Sequence, residues 1–186
     1  PLPASSAASD VYKRQLVAHA PTREAAIDRL HLALDHYEID GIVSNRQFLS
    51  AVLENGSFRS GDLTTGFIDA EFEGDFVAGP PSDAAAARLV ALGTAIVALQ
   101  MEERHAGDPD TGFVVISQDG ARRMVELGHV DKHSAKLTVD GKGFTLLGLL
   151  QAPVYLFDGT INEEPVAVQI RHTGHKVVLT HGAALL

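Results

Sequence analysis

The nine histidines are the side chains of this 186-residue chain that could first suggest a metal site. His129 and His133 are four residues apart, and His172 and His175 are three apart. On a helix such spacing would bring two imidazoles to one face, but both pairs fall in segments that read as strand or turn. A metal site needs three or four convergent ligands, and no carboxylate completes either pair. We therefore interpret these histidines as surface residues.

Other chemistry-bearing groups are explained by local structure. Glu102 and Glu103 would point about 100° apart on a helix, which favours a solvated helix end over an acid and base pair. The glycines flanking Lys142 lie between strand-like runs and predict a hairpin turn, with no helix N-terminus behind them to hold phosphate. No serine occupies a G-x-S-x-G elbow, and the chain has no cysteine. The sequence predicts no catalytic, cofactor-binding or metal-ligating residue.

Charge and composition narrow the possible partners. The formal net charge is -9 and the Lys and Arg residues are scattered, which argues against nucleic acid. The longest uncharged apolar stretch, Leu89 to Met101, is shorter than the roughly 20 residues that cross a bilayer, so we expect it to be buried in protein and expect no membrane partner. The segment from Pro1 to Ala8 lacks the apolar core of a secretory signal. The cytoplasm or an organelle matrix is expected.

The first half of the chain, from Leu16 to about Phe72, has a mostly helical pattern. Leu16 to His19 predicts a short strand, and Thr22 can cap the helix that follows. Ser44 to Gln47 has the S-x-x-Q arrangement of a capping box, and Asn55-Gly56 predicts a left-handed cap at the end of that second helix. The apolar face of the first helix comprises Ala26, Ile27, Leu30, Ala33, Leu34 and Tyr37.

The second half changes from a helical period to a strand period. Ser82 and Asp83 can cap a long helix, Ala84 to about His105, with an apolar stripe of Leu89, Leu92, Ile96 and Leu99. Asp-Gly pairs at positions 119, 140 and 158 then predict turns between antiparallel strands, whose full closure would remove exposed edges. Seven strands are predicted: Gly112 to Gln118, Arg122 to Leu127, Ala135 to Val139, Gly143 to Leu149, Val154 to Phe157, Val166 to His172 and Lys176 to Thr180.

Four motifs in the first half occur in a fixed order. They are Arg23-Glu24-Ala25-Ala26, the turn from Ile39 to Asn45, the helix start Phe48-Leu49, and Phe58 with Gly61 and the run from Thr65 to Ile68. Together they resemble the end of a biotin carboxylase C-terminal domain. The motif residues for which a structural role is expected are Asp40, Gly41, Ser44, Asn45, Phe48, Phe58, Gly61, Thr65 and Phe67.

The resemblance implies an α+β chain with two domains. A partial α/β biotin carboxylase C-terminal domain, residues 16–73, would be joined by a linker, residues 74–81, to a subunit-docking domain, residues 82–186. The order of one long helix and then strands is similar to the connecting domain of acyl-CoA carboxylase alpha subunits, an antiparallel β-barrel around a central helix. Residues 1–15 depart from the family pattern, with Gln15 where lysine is usual, and are interpreted as a disordered or artefactual tail.

What the chain itself would do follows from that resemblance. The parent enzyme would be a ligase, an ATP-dependent biotin carboxylase that uses biotin, ATP and Mg or Mn. Neither Met101 nor Met124 adjoins a lysine, as the biotin-attachment motif requires, and no phosphate-covering glycine loop is present. The chain is therefore expected to be an inactive fragment that binds none of these cofactors. ATP-grasp and biotin-carrier segments would lie elsewhere in its parent chain.

The expected partner is the carboxyltransferase, or beta, subunit, to which the second domain would dock. The resemblance leaves 3-methylcrotonyl-CoA, acetyl-CoA and propionyl-CoA open as substrates of the parent. It implies the bacterial cytoplasm, or the mitochondrial matrix in a eukaryote. An alternative from the strand pattern alone is a free-standing β-barrel that binds a small ligand or another protein. The position of the long helix, inside or outside the barrel, separates the two readings.

Overall fold

The computed structural model describes residues 15–37, 39, 44–72, 76, 79, 81–102, 112–116, 120–150, 155–173 and 176–186. Within these ranges an α+β architecture places helices first and antiparallel strands second. The helices are α1 (Arg23–His36), α2 (Arg46–Glu54), α3 (Gly56–Ser60), α4 (Phe67–Phe72) and α5 (Asp83–Glu102). The strands are β1 (Gly112–Ile116), β2 (Arg122–Val130), β3 (Ser134–Val139), β4 (Lys142–Gly148), β5 (Leu156–Ile161), β6 (Glu164–Thr173), β7 (Lys176–His181) and β8 (Ala184–Leu185).

Helix α1 begins where its cap predicts. The Thr22 hydroxyl oxygen accepts a hydrogen bond from the backbone N–H of Ala25, 3.2 Å away, which satisfies one free donor of the first turn. Ile27 and Leu34 of this helix are buried together with Leu53 of α2. Tyr37, expected on the same face, is instead 54% exposed because the helix ends at His36 and the chain turns away.

The start of the helical region differs from expectation. Leu16 to His19 forms no strand, and Val17 is 81% exposed. A lone strand has nothing to pair with, and the described residues supply no neighbouring strand at this point. The segment is held instead by the Arg29 guanidinium, which donates to the His19 carbonyl oxygen at 2.7 Å.

The capping of α2 also differs. Asn45, and not Ser44, stands at the N-cap position, and its side chain makes no capping hydrogen bond. At the other end, Asn55 is extended, with φ -65° and ψ 133°, so the predicted left-handed cap is wrong. Asn55 is extended because it begins a further helix: its Oδ1 accepts the Phe58 N–H at 3.0 Å. The left-handed cap occurs six residues later, at Gly61, with φ 86°.

The eight strands form one antiparallel sheet in which every strand pairs with its neighbours in sequence. Helix α5 packs against β2, β3, β4 and β7, strands from both halves of this meander. The sheet therefore curls around α5 as a half-barrel, with β1 and β8 at its edges and unpaired with each other among the described residues. Leu92, Ala95 and Ile96 of α5 have no exposed surface.

Helix α5 also meets the length and composition criteria for a membrane-crossing helix, from Asp83 to Met101. Most of this span is buried inside the protein. A core helix covered on most sides must be apolar nearly all round, which explains the match. Its predicted end near His105 and most of the predicted linker at 74–81 lie outside the described residues.

Two of the Asp-Gly pairs have different roles. Asp140 and Gly141 both have positive φ, 51° and 77°, and form the tight turn between β3 and β4, as expected. Asp158-Gly159 lies inside β5, so the predicted turn there is wrong. The turn falls at Asn162 and Glu163, with φ 52° and 69°. Gly159 is opposite Gly148 of β4, where the Phe157 ring and the opposing backbone leave no space for side chains.

Candidate functional site

The motif residues of the first half form a compact helical corner. The Arg23 guanidinium donates to the carbonyl oxygens of Phe58 and Arg59, at 2.6 and 2.7 Å, and lies 5.0 Å from the centre of the Phe58 ring. These carbonyls lie near the end of α3, where helix carbonyls lack a full set of helical partners, and the Phe58 oxygen also accepts the Gly61 N–H at 3.3 Å. The forked guanidinium thus links the first motif to the last.

Aromatic side chains continue this corner. The Phe48 ring of α2 meets Phe72 and Phe76 edge to face, with ring centres 5.2 and 5.5 Å apart. The ring centre of Phe67 lies 6.2 Å from that of Phe58. Such edge-to-face pairs stabilise packing beyond simple area burial. The motif phenylalanines therefore hold α2, α3 and α4 together.

The remaining motif residues have smaller parts in the structure. Gly61 supplies the left-handed cap described above, Ser44 and Thr65 are exposed, and Asn45 precedes α2. Asp40 and Gly41 lie outside the described residues. None of the described motif residues gathers into a catalytic arrangement.

The stripe of α5 fills the half-barrel. Leu89, Leu92, Ile96 and Leu99 are between 0% and 8% exposed and belong to one cluster with inward-facing side chains from the strands. Val125, Val139, Leu146 and Phe157 have no exposed surface. The helix occupies the space that a ligand would need inside a barrel.

A polar cluster joins the helical corner to the sheet. Asp35 at the end of α1 is only 3% exposed, and its carboxylate faces Arg46 Nη1 at 4.0 Å, His31 Nδ1 at 3.8 Å and His181 Nδ1 at 3.5 Å. Burial lowers the pKa of the Arg46 guanidinium below its usual value, and the Asp35 charge opposes that shift. Buried carboxylates in proteins usually have charged or hydrogen-bonding partners of this kind.

His31 and Glu54 extend the cluster toward solvent. His31 Nε2 lies 2.8 Å from Glu54 Oε1. This hydrogen bond raises the pKa of His31 above its usual range, while burial acts in the opposite direction. The same bond lowers the pKa of the Glu54 carboxyl. The pair is therefore ionic over the interval between the two values.

The candidate metal ligands stay apart. His129 bonds Asp131 Oδ2 at 2.8 Å on the surface, and the backbone N–H of His133, with the His129 ring next, lowers the pKa of the Asp131 carboxyl. His133 and His172 are exposed, and His175 lies outside the described residues. Among the residues that the structure describes, no three His, Asp or Glu side chains are arranged to hold a metal.

Sequence reasoning missed the polar cluster. Asp35 is a charged residue on the buried side of α1, where apolar residues are usual, and no local pattern in the sequence indicates its partners. Glu54 lies at the end of α2, where a carboxylate opposes the helix dipole, and this was the one available signal of an outside partner.

Known proteins match the first half of the chain at higher sequence identity than they match the whole chain. Residues 4–70 match the family described as biotin carboxylase C-terminal domain, a match that begins within the segment interpreted above as a tail. A propionyl-CoA carboxylase alpha chain of Ruegeria pomeroyi is 48% identical over 62 residues, 33% of this chain and 9% of that protein. A biotin carboxylase of Halalkalibacterium halodurans is 43% identical over 54 residues, 29% of this chain and 12% of that protein.

A longer match reaches the sheet. The mitochondrial propionyl-CoA carboxylase alpha chain of Caenorhabditis briggsae is 26% identical over 191 aligned positions, which cover 90% of this chain and 26% of that protein. The chain thus spans about a quarter or less of the length of these relatives.

Proposed function

We propose that the chain is part of a biotin-dependent carboxylase alpha subunit and serves assembly: its half-barrel docks a carboxyltransferase subunit onto the carboxylase, whose C-terminal domain family matches residues 4–70. The observation that carries this proposal is the position of α5. With Leu92, Ala95 and Ile96 fully buried, the sheet encloses a helix and leaves its outer face and loops for a partner.

The parent enzyme is proposed to be a propionyl-CoA carboxylase. Several relatives named propionyl-CoA carboxylase alpha chain match this chain, and one of them does so over 90% of it. The parent would be a ligase that carboxylates biotin with ATP and a divalent metal. It would act in the bacterial cytoplasm or the mitochondrial matrix, as the mitochondrial name of the longer match suggests.

The helical corner is proposed to pack against further segments of a carboxylase. Large apolar side chains of this region are well exposed, while the buried core holds only three described residues. Uncovered apolar surface of this kind is typical of a protein interface. The side chains concerned are Val17, Leu32, Tyr37, Leu63 and Ile68.

Ligand binding by the sheet is the alternative. A groove of about 540 Å³ is lined by residues of β2, β3 and β4, among them Glu126, Lys136 and Thr138. This groove is open, and the filled interior removes the enclosed cavity that small-ligand barrels use. The docking proposal therefore has the stronger support.

Co-purification with a tagged propionyl-CoA carboxylase beta subunit tests the proposal. The whole chain is expected to be retained at about micromolar concentration, since a stable interface buries roughly 1,200 to 2,000 Å². Two matched core variants show which part of the chain binds the beta subunit. Ile96→Asp disrupts the half-barrel, and Leu53→Asp disrupts the helical corner. Retention should be lost with the first and kept with the second. The reverse pattern would move docking to the helical corner.

A further inference from the structure

The turn between β7 and β8 inserts into the helical corner. Gly182 N–H donates to Asp35 Oδ1 at 2.9 Å, and Ala183 N–H donates to Glu54 Oε1 at 3.3 Å. Two successive backbone donors are thus received by carboxylates on two different helices, α1 and α2. Hydrogen bonds to charged acceptors are stronger than neutral ones.

The conformation and surroundings of this contact favour glycine at its centre. Gly182 has φ 56°, in the left-handed region, and a Cβ added there would collide with Glu54 Oε1 and lie 3.4 Å from the His31 ring. A residue with a Cβ would be strained in this conformation, and its Cβ would displace the Glu54 carboxylate that accepts the Ala183 N–H. The turn and its acceptors are fitted to each other.

A second contact holds the end of α1 against the sheet. Gln169 Nε2 of β6 donates to the carbonyl oxygens of Asp35 and Tyr37, at 3.1 and 2.9 Å. These carbonyls lack helical partners because α1 ends at His36. The amide of Gln169 has two N–H donors and satisfies both. His36 Nε2, in the same turn, lies 3.3 Å from Asp158 Oδ2 of β5.

We propose that these contacts form a latch, made of Asp35, Glu54, Gln169, Gly182 and Ala183, that fixes the half-barrel in one orientation relative to the helical corner. The latch bonds span 129 to 147 residues of sequence, so they constrain the two parts directly and independently of the segment that connects them. Both sides of the latch lie within this chain: the turn at Gly182 donates its backbone N–H groups to the carboxylates of two helices. The latch holds whether or not the half-barrel docks a carboxyltransferase, because every contact lies within this chain.

Distance measurements between spin labels test the latch. The chain contains no cysteine, so Leu32→Cys on α1 and Met124→Cys on β2, both more than half exposed, give two specific labels in the whole chain. The expected result is one narrow distance distribution. A broad distribution in the otherwise unchanged chain would overturn the proposal.

Matched variants separate the latch from general backbone strain. Gly182→Ala and Gln169→Ala should each broaden the distribution. Gly141→Ala should leave it narrow, because Gly141 has a similar positive φ of 77° but open space where its Cβ would lie. If Gly182→Ala loses the far-ultraviolet circular dichroism of the folded chain, its distance distribution does not report on the latch. The distribution of Gln169→Ala then tests the proposal by itself. Unchanged distributions in the folded latch variants, or equal broadening in Gly141→Ala, would contradict the latch.

Discussion

Gly159 of β5 lies so close to the carbonyl oxygen of Leu147 on β4 that no side chain fits between them. The Phe157 ring, fully buried, lies against the same glycine. This close approach explains why an Asp-Gly pair that normally marks a turn sits within a strand. The glycine is needed for strand contact and not for chain reversal.

Gly159→Ala should therefore destabilise the sheet, by about 1 to 3 kcal/mol as for other overpacked sites, because the added methyl group must displace the β4 backbone. Gly143→Ala is the matched control: Gly143 lies in the neighbouring strand β4, and its Cβ would meet open space. Urea unfolding followed by circular dichroism measures both. Equal urea midpoints for the two variants would show that the close approach of Gly159 to the Leu147 carbonyl does not affect stability.

Ile96→Asp should unfold the half-barrel. The side chain has no exposed surface, and a carboxylate there would lose its hydration without gaining a partner, at a cost of several kcal/mol. Ile96→Val at the same position should cost only about 0.5 to 1.5 kcal/mol. Thermal unfolding compares the two. A retained thermal midpoint and far-ultraviolet spectrum in Ile96→Asp would contradict the buried position of α5.

Arg23→Lys should weaken the helical corner although it keeps the charge. The guanidinium donates to two carbonyl oxygens and covers the Phe58 ring, and an ammonium group cannot reproduce the forked geometry. A loss of about 1 kcal/mol is expected. Arg29→Lys, which alters one hydrogen bond to His19, should change stability by less than about 0.5 kcal/mol. Chemical unfolding measures the free energy of unfolding of both variants. Equal losses would mean that the paired hydrogen bonds of the Arg23 guanidinium do not contribute to stability.

The His31 and Glu54 pair should make stability depend on pH in a defined direction. The pKa of Glu54 is lowered, so its contribution is present above about pH 4.5 and is lost as pH falls through the lowered value. The pKa of His31 is raised, so its contribution is present below about pH 6.5 and is lost as pH rises through the raised value. The pair stabilises most between these two limits.

His31→Gln tests that dependence. Wild-type stability should exceed that of the variant most at about pH 5.5, and the difference should shrink as pH rises through the raised pKa of His31 and the imidazole loses its proton. Urea midpoints at several pH values measure the difference. A difference that stays constant with pH would mean that the pair does not titrate as a unit.

The sequence predicts best what depends on local pattern. Thr22 caps α1 because the hydroxyl needs only the next turn, and the Asp140 turn forms from two adjacent residues. The stripe of α5 is equally readable, since three- and four-residue spacing marks a buried face. The resemblance of the first half to a known domain then supplies the order of the helices.

Features that depend on distant backbone were not predictable in this way. Asn55 reads as the end of one helix but starts the next, because Phe58 N–H competes for its side chain. Asp35 and Gly182 are 147 residues apart, and neither position carries a pattern that indicates the other. Gly159 reads as a turn until the Leu147 carbonyl is in place.

Hydrogen–deuterium exchange of the whole chain, with and without a saturating propionyl-CoA carboxylase beta subunit, tests the docking account most directly. The account predicts slower exchange, on binding, within residues 112–186 on the strands and their turns, and little change within residues 16–72. Protection confined to residues 16–72, or none anywhere while the chain keeps its native circular dichroism, would contradict the assignment of the half-barrel as the docking domain.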